Sequence, residues 1–148
     1  MRAAVLHAVD DLRVEQVADP VPGEGEVLVR VQACGVCSSD IHRIKRDGTY
    51  RFPTVPGHEY AAVDDAGRLV AVYPLIPCHA CEQCRVGQYQ RCSSYNYTGS
   101  RCDGGFAELV KVPRANLIPV PDGVEAQEAA ITEPAAVGVH AMRAAGVK

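Results

Sequence analysis

The sequence contains no apolar run long enough to span a membrane, and its first residues, MRAAVLHAVDDL, lack the long apolar core of a secretory signal peptide. It also lacks an excess of positive charge, because its formal net charge is −3. A chain of this charge has no electrostatic footprint for nucleic acid or for an anionic membrane surface. We therefore expect a cytoplasmic protein whose partners are neither nucleic acids nor membranes.

A second absence concerns cofactor binding. No G-x-G-x-x-G turn occurs in the 148 residues, so the phosphate-binding turn of a dinucleotide domain is missing from them. We expect these residues to hold no dinucleotide site of their own. Their composition, with 47% hydrophobic and 22% charged residues, is that of an ordinary globular domain with one core.

What the sequence does contain is a dense group of cysteines, Cys78, Cys81, Cys84 and Cys92, in the pattern C-x2-C-x2-C-x7-C. Tight turns can bring the first three sulfurs together, and a short loop can return the fourth to the same metal ion. Four protein ligands close a tetrahedral site, which is typical of structural rather than catalytic zinc. The intervening residues are mostly polar, so we expect the metal to supply the folding energy of this segment.

Three alternatives to zinc remain open for these cysteines. Disulfides are one, although the total of seven cysteines is odd and no export signal is visible. An iron–sulfur cluster is another, because C-x2-C-x2-C begins bacterial ferredoxin motifs. Those motifs continue with x3-C-Pro, whereas here the gap is seven residues and Ser93 follows Cys92. The third alternative is that the cysteines bind no metal, and the spacing favours zinc over all three.

The rest of the sequence is patterned as many short strands separated by glycine and proline turns. Val27, Val29 and Val31 illustrate the pattern, because they fall on one face of an alternating segment. By the same criteria we predict strands at 3–8, 12–17, 26–31, 60–63, 69–72, 106–112 and 116–120. Alanine-rich helical spacing predicts helices at 125–131 and 134–145. Many short strands of this kind predict a β-barrel or sandwich.

A segment with several reactive side chains follows the third predicted strand. A short helix is predicted there, and it brings Cys37, Ser39, Asp40 and His42 close together. Taken alone, Cys37 could be a buried packing thiol and His42 a surface histidine. The segment therefore indicates a functional site only in combination with other motifs.

Four pieces of sequence occur in a fixed order: C-G-V-C-S-S-D-I-H at 34–42, G-H-E at 57–59, the four-cysteine segment, and Glu133-Pro134 in the last helix. Together they resemble the zinc-containing medium-chain alcohol and polyol dehydrogenases. The segment YTGSRCDGGFAE is similar to the sugar-alcohol branch, with its galactitol-1-phosphate 5-dehydrogenases and sorbitol dehydrogenases. The resemblance covers nearly the whole chain. It implies a mainly β fold, a GroES-like, partly open β-barrel with a few short helices, in which residues 78–92 form a structural-zinc lobe.

The resemblance also implies a second, catalytic zinc site. Cys37 and His58 match ligand positions of the family, and Glu59 matches a position that binds zinc directly or supports a ligand. Glu133 matches a further ligand position of the polyol branch. The chemistry agrees, because one thiolate, one imidazole and one or two carboxylates leave a coordination position open for an alcohol. We therefore expect two zinc ions, one structural and one catalytic.

Four neighbouring residues have implied supporting roles. Ser39 lies where a hydroxyl relays the substrate proton, and His42 lies at a position with a weaker relay role. Asp40 is expected to support a zinc ligand from behind. Cys34 is expected to pack rather than to bind metal.

The implied reaction is the oxidation of a secondary alcohol or polyol, including sugar-alcohol phosphates, by zinc-assisted hydride transfer to NAD(P). The alternative is a non-catalytic zinc-binding module that acts as a structural or interaction unit. Members of the resembling family are usually homo-oligomers that act on small molecules. In them a Rossmann domain begins near the position of residue 148.

Three expectations about organisation follow from the resemblance. Residues 1–148 should form the catalytic domain, and residues 132–148 should form a terminal helix that leads into the nucleotide-binding domain. The isolated chain should be inactive, since NAD(P) would be held by that other domain. Finally, the segment between Glu59 and Tyr73 is shorter than in the family, which predicts a trimmed hairpin.

Overall fold

A five-stranded antiparallel sheet organises the chain in the computed structural model, which describes residues 1–147. The strands are β1 (Arg2–Ala8), β2 (Asp11–Gln16), β3 (Glu26–Cys34), β4 (Tyr60–Val63), β5 (Leu69–Val72), β6 (Leu75–Ile76), β7 (Asn96–Tyr97), β8 (Leu109–Pro113) and β9 (Leu117–Pro119). The helices are α1 (Ser38–His42), which continues as a π-helical turn at Arg43–Asp47, α2 (Glu82–Arg85), α3 (Ala126–Ala130) and α4 (Thr132–Ala144).

The main sheet has the strand order β8-β3-β4-β5-β9, with every neighbouring pair antiparallel. Two smaller antiparallel pairs, β1-β2 and β6-β7, complete the β structure. The predicted mainly β fold, a half-barrel with few helices, is therefore confirmed.

One face of the main sheet carries the largest core, because alternate residues along its strands are apolar. Val27 and Val29 of β3 lie on this face, while the neighbouring Arg30 is exposed. Burial of each such valine contributes about 1.5–3 kcal/mol to folding. Side chains from the other strands complete the cluster: Tyr60, Ala62, Val70, Val72, Val110 and Val112.

Two smaller clusters attach the remaining elements to this sheet. Ala129 and Ala130 of α3 pack against Ala61 of β4, so β4 is buried on both of its faces. The β1-β2 hairpin is anchored by a cluster of Ala3 and Val5 with Val55.

Most predicted strands agree with the structure to within a few residues, and two departures have clear causes. Strand β3 continues to Cys34, beyond the predicted end at Val31, because an irregularity between Val31 and Ala33 lets it keep pairing with β4. The strand predicted at 106–112 is regular only from Leu109. The residues before it pair with β1 instead, where the N–H of Ala4 donates to the carbonyl of Phe106 at 2.8 Å.

The segment between Glu59 and Tyr73, for which a trimmed hairpin is predicted, forms the β4-β5 hairpin, and Asp64 holds its turn. Its Oδ1 accepts hydrogen bonds from the backbone N–H groups of Ala66 and Arg68, both at 2.9 Å. Its Oδ2 accepts from the Arg68 guanidinium at 3.0 and 2.8 Å. The backbone amide of Arg68, more than its guanidinium, holds the pKa of Asp64 below the ordinary value. The short turn therefore preserves the pairing of both strands within the sheet.

We predict that Asp64→Ala lowers the melting temperature by a few degrees at pH 7, because four N–H donors lose their acceptor. A lowered folded-state pKa stabilises the fold above the unfolded pKa, and that contribution is lost as pH falls through the folded value. The difference between wild type and variant should thus shrink below about pH 4. Thermal unfolding followed by circular dichroism, at pH 7 and below about pH 4, measures this difference in melting temperature. Asp122→Ala, in another exposed turn, is the control. A difference that is the same at both pH values would contradict this assignment.

Candidate functional site

The four cysteines at 78, 81, 84 and 92 converge between β6 and β7. Their sulfurs all lie within 4.8 Å of one another, and the pairs Cys78–Cys84 and Cys81–Cys92 are each separated by 4.0 Å. A tetrahedral ion with ligands at about 2.3 Å requires sulfur–sulfur distances of about 3.8 Å, which is close to this arrangement. All seven cysteines of the chain are free, so disulfides do not account for the cluster.

Backbone amides donate hydrogen bonds to the sulfurs of this cluster. The N–H of Cys81 donates to Cys78 Sγ at 3.4 Å, and the N–H of Cys78 donates to Cys92 Sγ at 3.3 Å. The amides of Cys84 and Ser93 lower the pKa of Cys81 to about 5. Burial, followed by the neighbouring sulfurs, raises the pKa of Cys84 to about 12. Only a central cation would let all four carry a thiolate charge, so the donor set fits a divalent metal.

A second group of possible ligands is formed by Cys37, His58 and Glu59, whose donor atoms also lie within 4.8 Å of one another. Cys37 is the extended residue that begins α1, and the other two follow a turn immediately before β4. His58 is 5% exposed and Glu59 is 8% exposed. The structure thus brings together three of the four residues that the sequence predicts for the catalytic metal.

Asp40 contacts both Cys37 and His58. It is completely buried; its Oδ2 accepts from the backbone N–H of Cys37 at 3.1 Å, and its Oδ1 lies 3.3 Å from Nδ1 of His58. Burial lowers the pKa of His58, but the hydrogen bond to Asp40 and its charge, followed by Cys37, outweigh this effect and the net pKa is raised. Because Nδ1 faces Asp40, Nε2 is the ring nitrogen left to bind a ligand.

Tight backbone packing sets the position of these donors. Gly57 has φ 93°, and a Cβ there would meet the ring of Phe106 and the sulfur of Cys34. A Cβ on Gly35 would collide with the carboxylate of Glu59, whose carbonyl accepts from the Gly35 N–H at 2.7 Å. At Gly57 both the positive φ and the contacts require glycine, whereas a side chain at Gly35 would displace the Glu59 carboxylate. Burial raises the pKa of Cys34 to about 12, in agreement with its predicted packing role.

An open cleft of about 550 Å³ lies beside α1, and both predicted relay residues, Ser39 and His42, line it. The Ser39 hydroxyl accepts a hydrogen bond from Nη1 of Arg43 at 2.9 Å, and the same nitrogen lies 3.8 Å from Oδ1 of Asp40. Sequence reasoning missed Arg43. Its spacing of four residues from Ser39 on a helix was the available signal.

Glu133 is placed differently from the other predicted ligands. It lies at the start of α4, where its Oε1 accepts from the hydroxyl of Tyr97 at 3.4 Å. The Tyr97 ring in turn packs against His58 with ring centroids 5.7 Å apart. Burial, and then the charge of Glu133, raise the pKa of Tyr97. Glu133 therefore approaches the group through Tyr97, and its role as a ligand stays a prediction.

None of the helices within residues 1–147 combines the length and the apolar character needed to cross a membrane.

An antiparallel half-barrel with a separate cysteine lobe and a Cys-His-Glu group, whose histidine and glutamate are buried, is the architecture of GroES-like catalytic domains. The sequence model of the family described as "Alcohol dehydrogenase GroES-like domain" matches residues 23–122. This chain belongs to that family, as the motifs predicted.

Within this family, the relatives most similar in sequence include polyol dehydrogenases. Galactitol 1-phosphate 5-dehydrogenase of Escherichia coli K12 is 37% identical over 141 residues, which are 88% of this chain and 41% of that protein. Sorbitol dehydrogenase of Bacillus subtilis strain 168 is 35% identical over 95% of this chain and 44% of that protein.

Two crystal structures share the fold of this chain. Galactitol-1-phosphate dehydrogenase of Escherichia coli matches with a TM-score of 0.92 and 35% identity, over 99% of this chain and 45% of that one. The short chain alcohol dehydrogenase RspB of Escherichia coli CFT073, complexed with NADH, matches with a TM-score of 0.89 and 32% identity, over 96% of this chain and 44% of that one. This chain spans less than half of the length of each of these relatives.

The tight packing at Gly57 generates a stability prediction with a matched control. Gly67 also has positive φ, at 78°, but nothing lies within 4 Å of a Cβ placed there. We predict that Gly67→Ala costs about 1–2 kcal/mol from backbone conformation alone. Gly57→Ala should cost about 2–5 kcal/mol, because the collision adds to the conformational term. Urea unfolding of both variants measures the free energies, and equal costs would show that packing at Gly57 is not restrictive.

Proposed function

We propose that Cys37, His58 and Glu59 hold a catalytic zinc ion and that Cys78, Cys81, Cys84 and Cys92 hold a structural one. The observation that carries the proposal is the convergence of a thiolate, an imidazole and a carboxylate in front of the buried Asp40. A structural site has no need of an incomplete ligand set beside an open cleft. The four-cysteine cluster, in contrast, provides a complete tetrahedral set.

We further propose that the whole protein oxidises a secondary alcohol or polyol with NAD(P) as the hydride acceptor. The similarity to galactitol-1-phosphate and sorbitol dehydrogenases supports this substrate class, and the NADH complex of RspB supports the cofactor. Residues 1–148 would be the catalytic domain, with residues 132–148 leading into a nucleotide-binding domain. A cytoplasmic homo-oligomer acting on small molecules fits the same assignment.

Each residue of the site has a distinct task in this reaction. Cys37, His58 and Glu59 would hold a zinc ion, which would supply Lewis acidity that favours loss of the hydroxyl proton of an alcohol. Asp40 fixes the ring of His58 and the backbone of Cys37, so that both donors keep their positions without reorganisation.

Ser39 and His42 provide the route for the proton. Arg43 donates to the Ser39 oxygen, so the Ser39 hydroxyl hydrogen is left to point into the cleft. Ser39 can accept the substrate proton as it gives up its own. His42 lines the same cleft and is exposed, so it can pass the proton to water.

The first test is the metal content. We predict close to two zinc ions per chain in wild type and close to one in Cys37→Ala, since the two ligand sets share no residue. Elemental analysis by mass spectrometry measures the ratio, and Cys102→Ala, which alters a thiol outside both sets, should keep two. A single zinc ion that survives Cys37→Ala would remove the catalytic site and favour a non-catalytic zinc module.

The second test is turnover. We predict that residues 1–148 alone do not reduce NAD(P) with a panel of polyols, and that joining a Rossmann domain after Lys148 restores activity. In that fusion, Ser39→Ala should lower kcat by roughly 10²–10⁴-fold, as expected for loss of a proton relay. Zinc content should be unchanged, and the exposed Ser94→Ala should retain activity. Full activity of Ser39→Ala, or zinc-dependent turnover by the isolated chain, would contradict these assignments.

A further inference from the structure

Strand β2 forms one edge of the β1-β2 hairpin and presents a regular row of backbone groups outward. Val17 exchanges hydrogen bonds with Met1, at 2.9 Å in both directions. Antiparallel pairs alternate between bonded and non-bonded, so odd-numbered residues of β2 bond inward to β1. The outward N–H and C=O groups therefore belong to Leu12, Val14 and Gln16.

These outward groups are available for pairing. In the described part of the chain, no backbone hydrogen bond outside the β1-β2 pair involves them. The other edge of β1 is already occupied, because Leu6 exchanges hydrogen bonds with Thr54 at 2.8 and 3.1 Å. The side chain of Val14 is 79% exposed and that of Leu12 is 40% exposed. β2 is thus an unpaired edge, in regular register with β1 over Leu12–Gln16, with the apolar Val14 at its centre.

Natural sheets usually protect such an edge with proline, bulges or like charges. β2 contains no proline, and its regular register with β1 holds from Arg2–Gln16 to Leu6–Leu12. Its charges alternate in sign, with Arg13 and Glu15 on one face and Val14 between them on the other. This pattern is complementary to itself when the strand is reversed.

We propose that β2 pairs with β2 of a second copy of this chain, antiparallel and centred on Val14, so that two hairpins form one four-stranded sheet. In this register Val14 faces Val14, and Leu12 faces Gln16, which satisfies the outward backbone groups of both strands. Arg13 of each copy faces Glu15 of the other as a non-bonded pair, where side chains approach most closely.

The charges select this register over its neighbours. A twofold pairing centred on Arg13 would place Arg13 opposite itself, and one centred on Glu15 would place Glu15 opposite itself. Like charges directly opposite each other are destabilising. Registers centred on Leu12 or Gln16 leave only part of the strand paired. The register centred on Val14 alone combines full overlap with opposite charges.

Both charged groups keep an atom free for the new pair. Arg13 uses Nε and Nη2 on Asp11, at 2.6 and 2.8 Å, which leaves Nη1. Glu15 uses Oε1 on the His7 ring at 3.1 Å, which leaves Oε2. Pairing through β2 therefore breaks no contact within the chain. Because a single short strand buries little area, we expect weak, concentration-dependent association.

Analytical ultracentrifugation of the full chain, over a series of protein concentrations up to about 1 mM, tests the proposal. We expect a reversible dimer in wild type. Arg13→Glu places two acidic pairs across the interface and Glu15→Arg places two basic pairs, so each should weaken association by about tenfold or more. The double variant, Arg13→Glu with Glu15→Arg, restores opposite charges and should recover the dimer.

Val14→Lys should abolish the dimer, and Val21→Lys is its control because Val21 is 80% exposed in a loop. Circular dichroism verifies that every variant is folded. A wild type that stays monomeric throughout the series would overturn the proposal. So would a dimer that is insensitive to Val14→Lys, or a double variant that associates no better than the single ones.

Discussion

The close contact of two backbone segments around Gly57 is the constraint on which the rest of the structure depends. The N–H of Gly104 donates to the carbonyl of Val55 at 2.8 Å, and the N–H of Gly105 donates to the carbonyl of Gly57 at 2.8 Å. A Cβ on Gly99 or Gly104 would fall on the backbone of Gly57. Side chains are excluded here, so the segment that carries His58 and Glu59 is fixed directly to the segment that returns from the cysteine lobe.

This contact lets one small domain carry two donor sets with different mechanical support. Cys37, His58 and Glu59 are positioned by buried protein groups, above all by Asp40, so their geometry is supported without a metal ion. The cysteine lobe buries little apolar surface of its own, since Val86 and Tyr89 within it are exposed to solvent. We therefore expect its order to depend on an ion bound by the four sulfurs. The first set suits a reaction that needs an open position, and the second suits a structural role.

Local patterns in the sequence predicted much of this arrangement, but not the long-range contacts. Alternation of apolar residues located the strands, and cysteine spacing located the lobe. Alternation does not specify a partner, however, so the pairing of residues 106–107 with β1 could not be read from it. The contact of Glu133 with Tyr97 joins residues 36 positions apart, and no motif connects them. The outer edge of β2 likewise became visible only once hydrogen-bond partners were known, whereas the spacing of Arg43 from Ser39 was a signal that the sequence contained.

The central claim is that two independent donor sets in one domain each hold a zinc ion. Anomalous diffraction from crystals of the zinc-loaded chain, recorded on both sides of the zinc absorption edge, tests it most directly. We predict two anomalous peaks, one among the sulfurs of the four lobe cysteines and one between Cys37, His58 and Glu59. A single peak in the lobe, with His58 and Glu59 unliganded at full zinc loading, would contradict the claim.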